Sequence, residues 1–477
     1  LNPDAKGGYI VASQGLMDSL RAGAAQVDIT PQFPVHLAGA VSRYRPAQLI
    51  EDPLHAKALV LEAGERRICF ISMDLTIVTE RWTRVIREAA ERCGLEPDAV
   101  MVHVTQNHSA PSLGYFMLDE DLETPPEFEW LRGGDSRYFS FAFERIVEAI
   151  RRAAASLRPV LWAAGSGIEG RLAFNRRAIT RDGRAYMPPR QWTEPLGPTF
   201  IRYMEGPMDP EVGVVCFQTP SLEMIAMLLH HTCHPVHVFP KPVISADWPG
   251  AWTETIRRRY GERCVPLVLN GCCGNINPFS PFDPNWVPDH RRMGRMLAET
   301  TQKLLETLTF REEAVLDWQV KHLRIPVREV EPELLEEARR ILSEHPAPIW
   351  SRDNQIDPSW MRAASVMSVH LLRQREPELD YEVQVFRLGD VAIVGLPGEP
   401  FVEGQLRIKM ASPASFTYIA HCTSQYVGYL PTREAFAHGG HEVETRYWSK
   451  LVPEALDMVV DAAVTLLQEL FSREVIP

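Results

Sequence analysis

The chain has 477 residues, 45% hydrophobic and 23% charged, and a formal net charge of -12 from 50 Lys and Arg against 62 Asp and Glu. This is ordinary globular composition, long enough for one large core or two to three smaller ones. The negative balance repels phosphate backbones and speaks against nucleic acid as a partner, and no run approaches the ~20 apolar residues that span a bilayer. The start, Leu1-Asn2-Pro3-Asp4, lacks the basic end and apolar centre of a secretory leader. Cys69 to Leu75 reads as a buried strand, and Trp82 to Cys93 as a helix with Trp82, Val85, Ile86, Ala89, Ala90 and Cys93 on one face. Val100 to Thr105 reads as the next strand. Phe139, Phe143, Ile146, Val147 and Ile150 form a helical stripe, and so do Met293, Met296, Leu297, Leu304 and Leu308. Residues 331 to 367 read as an inserted helical segment, a charged helix from Leu334 to Glu344 followed by a loop containing Pro and Trp. Glu382 to Pro397 reads as two strands about a Gly389-Asp390 turn, and Pro453 to Phe471 as a packed helix.

Alternating β and α elements predict an α/β fold, and the hairpin makes its β-sheets mixed, flanked by helices. The 38 prolines predict long, shaped loops. No internal repeat, low-complexity run or linker stands out, so residues 1–477 read as one domain. The eight cysteines are dispersed, several in apolar runs such as Ile68-Cys69-Phe70 and Val215-Cys216-Phe217. Buried free thiols are expected, and with them a cytoplasmic protein. A small-molecule substrate is expected, and homo-oligomerisation is left open.

Five segments carry chemistry. Val104 to Pro111 runs from a strand into a polar loop containing Gln106, Asn107 and His108; strand ends are where α/β proteins place functional groups. An imidazole there binds a metal or moves a proton, or is merely hydrogen-bonded at a strand end. His230 to His237 holds four of the 15 histidines, and Pro235 disfavours a helix, so this is again a strand running into a loop. Leu396-Pro397-Gly398-Glu399 ends a strand with a carboxylate, which either ligates a cation or caps the helix starting near Phe401. Asn270 to Pro278 is a glycine-containing turn whose Cys272-Cys273 pair lacks metal-ligand spacing, and the cysteines read as packing residues. Tyr426 to Glu434 offers tyrosines that polarise a substrate oxygen, bind a metal or pack against the loop.

These segments, in this order, resemble the N-terminal catalytic domain of the neutral/alkaline (non-lysosomal) ceramidases, as do Ala22 to Pro31 and Asp52 to Val60. The resemblance runs to the C-terminal helix. It implies Zn2+ held by two histidines, a glutamate and a tyrosine, and hydrolysis of an N-acyl amide. His234, Glu399 and Tyr429 match three of those ligands, and Asn175-Arg176 matches a pair whose arginine lies in the active site. The first ligand histidine is Gln106 here; His108 would replace it, because residues two apart on a strand share a face. Asn277 stands where the family has a serine proposed as nucleophile, and can only orient a substrate or stabilise an oxyanion. His441 stands twelve positions after Tyr429, where the family has a second tyrosine. The family's C-terminal β-rich domain has no counterpart in the chain.

The function expected is hydrolysis of an amide or related bond in a small polar substrate by water activated on zinc. Arg176 would bind an anionic or carbonyl group, and His441 or His237 would act as general acid. Two alternatives stay open. Gln106, Asn107, Asn275 and Asn277 would suit a sugar-like ligand of a hydrolase, lyase or isomerase. Loss of the histidine and serine would suit a binding protein without catalysis.

Overall fold

The computed structural model describes residues 18–191, 199–351 and 354–472. The first four residues, read above for a leader, and positions 352–353 of the expected insertion lie outside these.

Three sheets share one four-stranded plan. The first contains β1 (Arg21–Asp28), β2 (His55–Ala63), β3 (Arg66–Met73) and β4 (Val100–Val104), with a two-residue strand, Arg158–Pro159, beyond β1. The second contains β5 (Leu161–Ile168), β6 (Glu211–Gln218), β7 (Met224–His231) and β8 (Val265–Asn270). The third contains β9 (Leu316–Pro326), β10 (Glu378–Leu388), β11 (Val391–Gly395) and β12 (Phe416–Ala420). In each, three strands pair antiparallel in chain order, and the fourth pairs parallel with the third. A parallel neighbour needs a crossover. Helices α1 (Glu80–Glu91), α3 (Asp247–Tyr260) and α7 (Val402–Ala411) provide the three crossovers. The remaining helices include α2 (Ser136–Ala155), α4 (His290–Leu305), α5 (Pro332–Glu344), α6 (Pro358–Arg375) and α8 (Ala455–Ser472).

Strand alternation builds the core. On β3, Ile68 and Phe70 face inward with Leu59, Trp162, Phe217, Leu269, Phe386 and Ile393, residues of all three sheets. Its other face turns Cys69, Ile71 and Met73 toward α1 and α2. The outer face of the second sheet meets Trp248, Trp252, Met293 and Leu297 of α3 and α4, and that of the third meets α6 and α8. Each fully buried large side chain contributes about 1.5–3 kcal/mol, so this shared core, not the polar centre, holds the sheets together.

Strands, hairpin and helices stand close to where the sequence puts them, and the Gly389-Asp390 turn joins β10 to β11. One expectation fails. The loop expected after Glu344 becomes helical at Pro358, because Asp357 accepts from the backbone N–H groups of Ser359 and Trp360 and proline is tolerated in the first turn. All eight cysteines are free thiols. Among the described residues, no helix is long and apolar enough to cross a membrane.

Candidate active site

The fourth strands β4, β8 and β12 are sheet edges, and their ends meet. Asn270, closing β8, ties them: its Nδ2 donates to Thr105 O (2.9 Å), its Oδ1 accepts from Cys233 N (3.2 Å), and its carbonyl accepts from His421 N (3.0 Å). The carboxyl ends of the parallel pairs thus converge, as open α/β sheets require of a site. Gln106 and His108 follow β4, His234 follows β7, Glu399 follows β11, and Tyr426 and Tyr429 follow β12.

A cavity of about 50 Å³, room for only a few water molecules, is lined by Gln106, His108, Glu399, Tyr426, Tyr429 and His441. Thr76, Ile77, Gly39, Val41, Phe116, Met117 and Trp448 complete its wall.

Glu399 sits at the centre. Its backbone pairs with Tyr429 in a two-residue parallel ladder. Gly398 has φ +70°, and a Cβ there would lie 2.4 Å from Gly428 O. Gly398→Ala is therefore expected to lower stability by about 2–4 kcal/mol in denaturant unfolding, through both strain and the clash. The Glu399 side chain does not cap α7; Phe401 is the N-cap, without a side-chain bond. One carboxylate oxygen accepts from Tyr426 Oη (2.7 Å), and the other stands 3.1 Å from His234 Nε2. Burial alone would raise its pKa. The bonds from His234, Tyr426 and Gln106 outweigh burial and hold the carboxyl well below its ordinary range.

His234 has an oxygen facing each nitrogen and the donor Arg176 Nη1 beside Nδ1. Burial, with Arg176 nearby, lowers its pKa, so the ring is neutral and carries one N–H. Nδ1 lies 3.1 Å from Ile276 O, and Nε2 faces Glu399. Donation from Nδ1 leaves a lone pair pointing at a carboxylate. Donation from Nε2 to Glu399 leaves the Nδ1 lone pair between Ile276 O and the donor Nη1 of Arg176, 3.5 Å away. A cation between Nε2 and the carboxylate is the other arrangement these contacts allow, with Nδ1 donating to Ile276 O. His108 repeats the pattern: Nδ1 lies 3.1 Å from Gly39 O, while Nε2 is buried without a hydrogen-bond partner. Its ring meets that of His234 edge-on at 5.6 Å. Metal-binding imidazoles are commonly fixed by such Nδ1–H bonds to carbonyls.

Two imidazoles and a carboxylate are donor types that zinc accepts. Tetrahedral zinc holds donor atoms roughly 3.4 Å apart. His234 and Glu399 stand near that separation. The ligand atoms of His108, His234 and Glu399 are not all within 4.8 Å of one another; among the described residues, those of Glu51, Asp52 and His290 are. The His108 position also has a different origin from the one expected. β4 ends at Val104, and Gln106 has φ +63°, so strand alternation does not govern Gln106 and His108. Both still line the cavity.

Arg176 does not line the cavity but is bonded to Tyr429, which does. Nε donates to Glu442 (2.8 Å), Nη2 to Tyr429 Oη (3.1 Å), and Nη1 points at Asn277 Oδ1 (3.4 Å). Burial works against the guanidinium charge, but Tyr429 and Glu442 outweigh it and raise its pKa. Burial holds the Tyr429 phenol protonated despite Arg176. The His441 ring packs edge-on to Tyr429 (5.7 Å) and stacks on Trp448 (5.4 Å); burial keeps it neutral.

Other expected binding groups are used elsewhere. The Asn107 amide donates to Ser245 O (2.5 Å) and accepts from Ser109 N (3.0 Å). Asn175 donates to Pro207 O and accepts from Arg177 N. Asn275 donates to Glu403 and accepts from Val402 N at the start of α7. His237 Nδ1 pairs with buried Asp247 (2.7 Å). None of these four lines the cavity. The Cys273 thiol is pushed well up by burial and is no nucleophile. Sequence reasoning missed Glu442, whose only signal was adjacency to His441, and the Tyr426 bond to Glu399.

No protein-family model and no curated protein matches the chain. Solved structures do. The neutral ceramidase from Pseudomonas aeruginosa superposes with a TM-score of 0.70 at 20% identity, covering 96% of this chain and 76% of that one. A ceramidase complexed with C2 gives 0.68 at 18% identity, with the same coverage. The resemblance read from the motifs therefore holds at the level of architecture: the chain carries the neutral ceramidase fold over almost its whole length.

Proposed function

We propose that this protein is a zinc-dependent hydrolase acting on an amide or related bond of a small polar substrate. The observation that carries the proposal is the buried, partnerless Nε2 of His108 in the cavity that Glu399 and Tyr429 also line, beside the contact of His234 Nε2 with Glu399. His108, His234 and Glu399 would hold the ion, with Tyr429 as a fourth ligand or as the oxyanion partner. When bound there, zinc would supply a water activated near pH ~7 and a polarised carbonyl oxygen.

The chain's own groups divide the remaining work. Arg176 stays protonated and donates to the Tyr429 oxygen, leaving the phenol proton for an oxyanion in the cavity. Neutral His441 takes up a proton and hands it to the leaving group. Asn277 steadies the Arg176 fork. Phe116, Met117 and Trp448 offer an apolar wall to the acyl side of the bond. No serine stands at 277, so water attacks directly, without an acyl-enzyme. The sugar-ligand alternative loses two of its four amides, because Asn107 and Asn275 are committed to the backbone and to Glu403.

Metal analysis after gentle purification, coupled to a panel of amides, esters and glycosides, tests the proposal. Zinc that is lost in His234→Ala, with amide turnover abolished by chelation and restored by zinc, is the expected result. Turnover by metal-free protein would point to the lyase or isomerase alternative. Ligand binding without turnover of any panel member would point to a binding protein.

A further inference from the structure

We infer that Arg45 is a positioning residue for His108: it locks the loop whose carbonyl takes the Nδ1 proton, and so leaves Nε2 as the free nitrogen of a cavity-lining imidazole. Arg45 is 2% exposed. Its hydrogen bonds among the described residues go to main-chain oxygens, not to a carboxylate. Nη2 donates to Ala38 O (2.5 Å) and to His108 O (2.6 Å), with Leu37 O at 3.5 Å, and Nη1 points at Lys241 O (3.5 Å). Nε is buried without a partner. The guanidinium lies over the Phe239 ring, 4.8 Å from its centroid, and the same ring meets His108 edge-on at 5.6 Å. Burial, with Arg43 nearby, pushes the guanidinium down to about 9, so it is still charged at neutral pH.

A buried charge without a counter-charge is costly, and an apolar side chain of similar volume would avoid that cost. What arginine offers instead is geometry. Its donors lie in one rigid plane, and here that plane joins residues 37–38, His108 and Lys241. The first two border the candidate cavity, since Gly39, Val41 and His108 stand in its wall.

The join fixes the imidazole. One nitrogen of Arg45 holds both Ala38 O and His108 O, and Gly39 O, one residue on, then lies 3.1 Å from His108 Nδ1. Donation from Nδ1 to that carbonyl makes Nε2 the lone-pair nitrogen. Gly39 also closes the space beside the ring: its φ is +78°, and a Cβ there would stand 2.6 Å from Nδ1. His108 N donates to Pro235 O (3.2 Å), which ties its main chain to the His234 loop. That the free Nε2 then serves a metal rests on the zinc reading above; the locking of the ring does not.

The test uses the full chain, metal-free, with isotope-labelled histidine read by nitrogen NMR, and Zn2+ alone as the probe of affinity. The His108 signal, identified by its loss in His108→Asn, should report the Nδ1–H tautomer in the wild type and a mixture of tautomers in Arg45→Met. Zinc affinity should fall about 10-fold or more in Arg45→Met. The same substitution should lower it no further in a His108→Asn background. Lysine keeps the charge but cannot hold two carbonyls with one planar fork, so Arg45→Lys should match Arg45→Met in both readouts, and it carries the test where Arg45→Met does not fold. An arginine that merely supports the fold would lower Tm in these variants and leave the tautomer as in the wild type. An unchanged His108 tautomer therefore overturns the inference, whatever happens to zinc, and so does an affinity loss that adds in full to that of His108→Asn. A changed tautomer in a protein that binds no zinc even as wild type would uphold the role of Arg45 and bring down the zinc reading instead.

Discussion

Glu399→Gln is expected to remove zinc from the candidate active site, with an affinity loss of at least about 100-fold and loss of hydrolysis, while leaving the metal-free protein as stable as before or more so. With a cation bound, His234 would donate from Nδ1 to Ile276 O, and its Nε2 lone pair and the Glu399 carboxylate would both face the ion. A glutamine at 399 keeps an acceptor for Tyr426 Oη, which now donates to Glu399 across 2.7 Å. Its amide N–H turns to His234 Nε2, across the present 3.1 Å gap. His234 is then free to donate from Nδ1 to Ile276 O, and every group is paired. The charge that attracts the cation is gone. If the contact were instead an ordinary structural hydrogen bond to a carboxylate, the same change would cost about 1–3 kcal/mol and leave the metal content untouched. Chelator competition for zinc and urea unfolding of the stripped protein, run on both variants, separate the two. A metal-free Glu399→Gln less stable than wild type by more than about 1 kcal/mol would sink the interpretation.

Much of the fold is legible because both faces of each central strand are buried. Runs such as Cys69 to Met73 and Met224 to His231 can hardly be read otherwise. The chemistry is legible for a related reason: polar residues that follow such runs stand at the carboxyl ends of parallel strands, and the topology brings those ends together. The threefold plan itself is hidden. The units share strand order but not residues: α1, α3 and α7 run 12, 14 and 10 residues. The roles of Asn107 and Asn275 are hidden too, because their partners Ser245 and Glu403 lie far along the chain. At Gln106 strand alternation no longer holds, because the strand has ended at Val104 and the backbone is left-handed.

Glu442 is the residue whose importance the sequence conceals most, and Glu442→Gln should show it in the acid limb of stability. Its side chain is buried, with one oxygen accepting from Arg176 (2.8 Å) and the other from Arg177 (2.6 Å). Burial would raise this carboxyl, but the two guanidinium groups outweigh it and hold the pKa down to about 2 from the ordinary 4.5. A carboxyl lowered by folding stabilises the native state above its unfolded pKa and loses that contribution as pH falls through the folded one. The contribution is about 3 kcal/mol at neutral pH, and its loss spans pH 4.5 down to 2. Glu399, also lowered, adds to the same limb. Glu442→Gln should therefore be less stable at pH 7 by about 3–5 kcal/mol, since it leaves two buried arginines short of a counter-charge. Its unfolding free energy should also fall less steeply with acid than that of the wild type, by up to 1.4 kcal/mol per pH unit. Urea midpoints measured from pH 2 to 7 decide the matter. Parallel wild-type and variant profiles across that range would mean that Glu442 does not hold the arginines by its charge. Arg176 would then need another explanation for its aim at Tyr429.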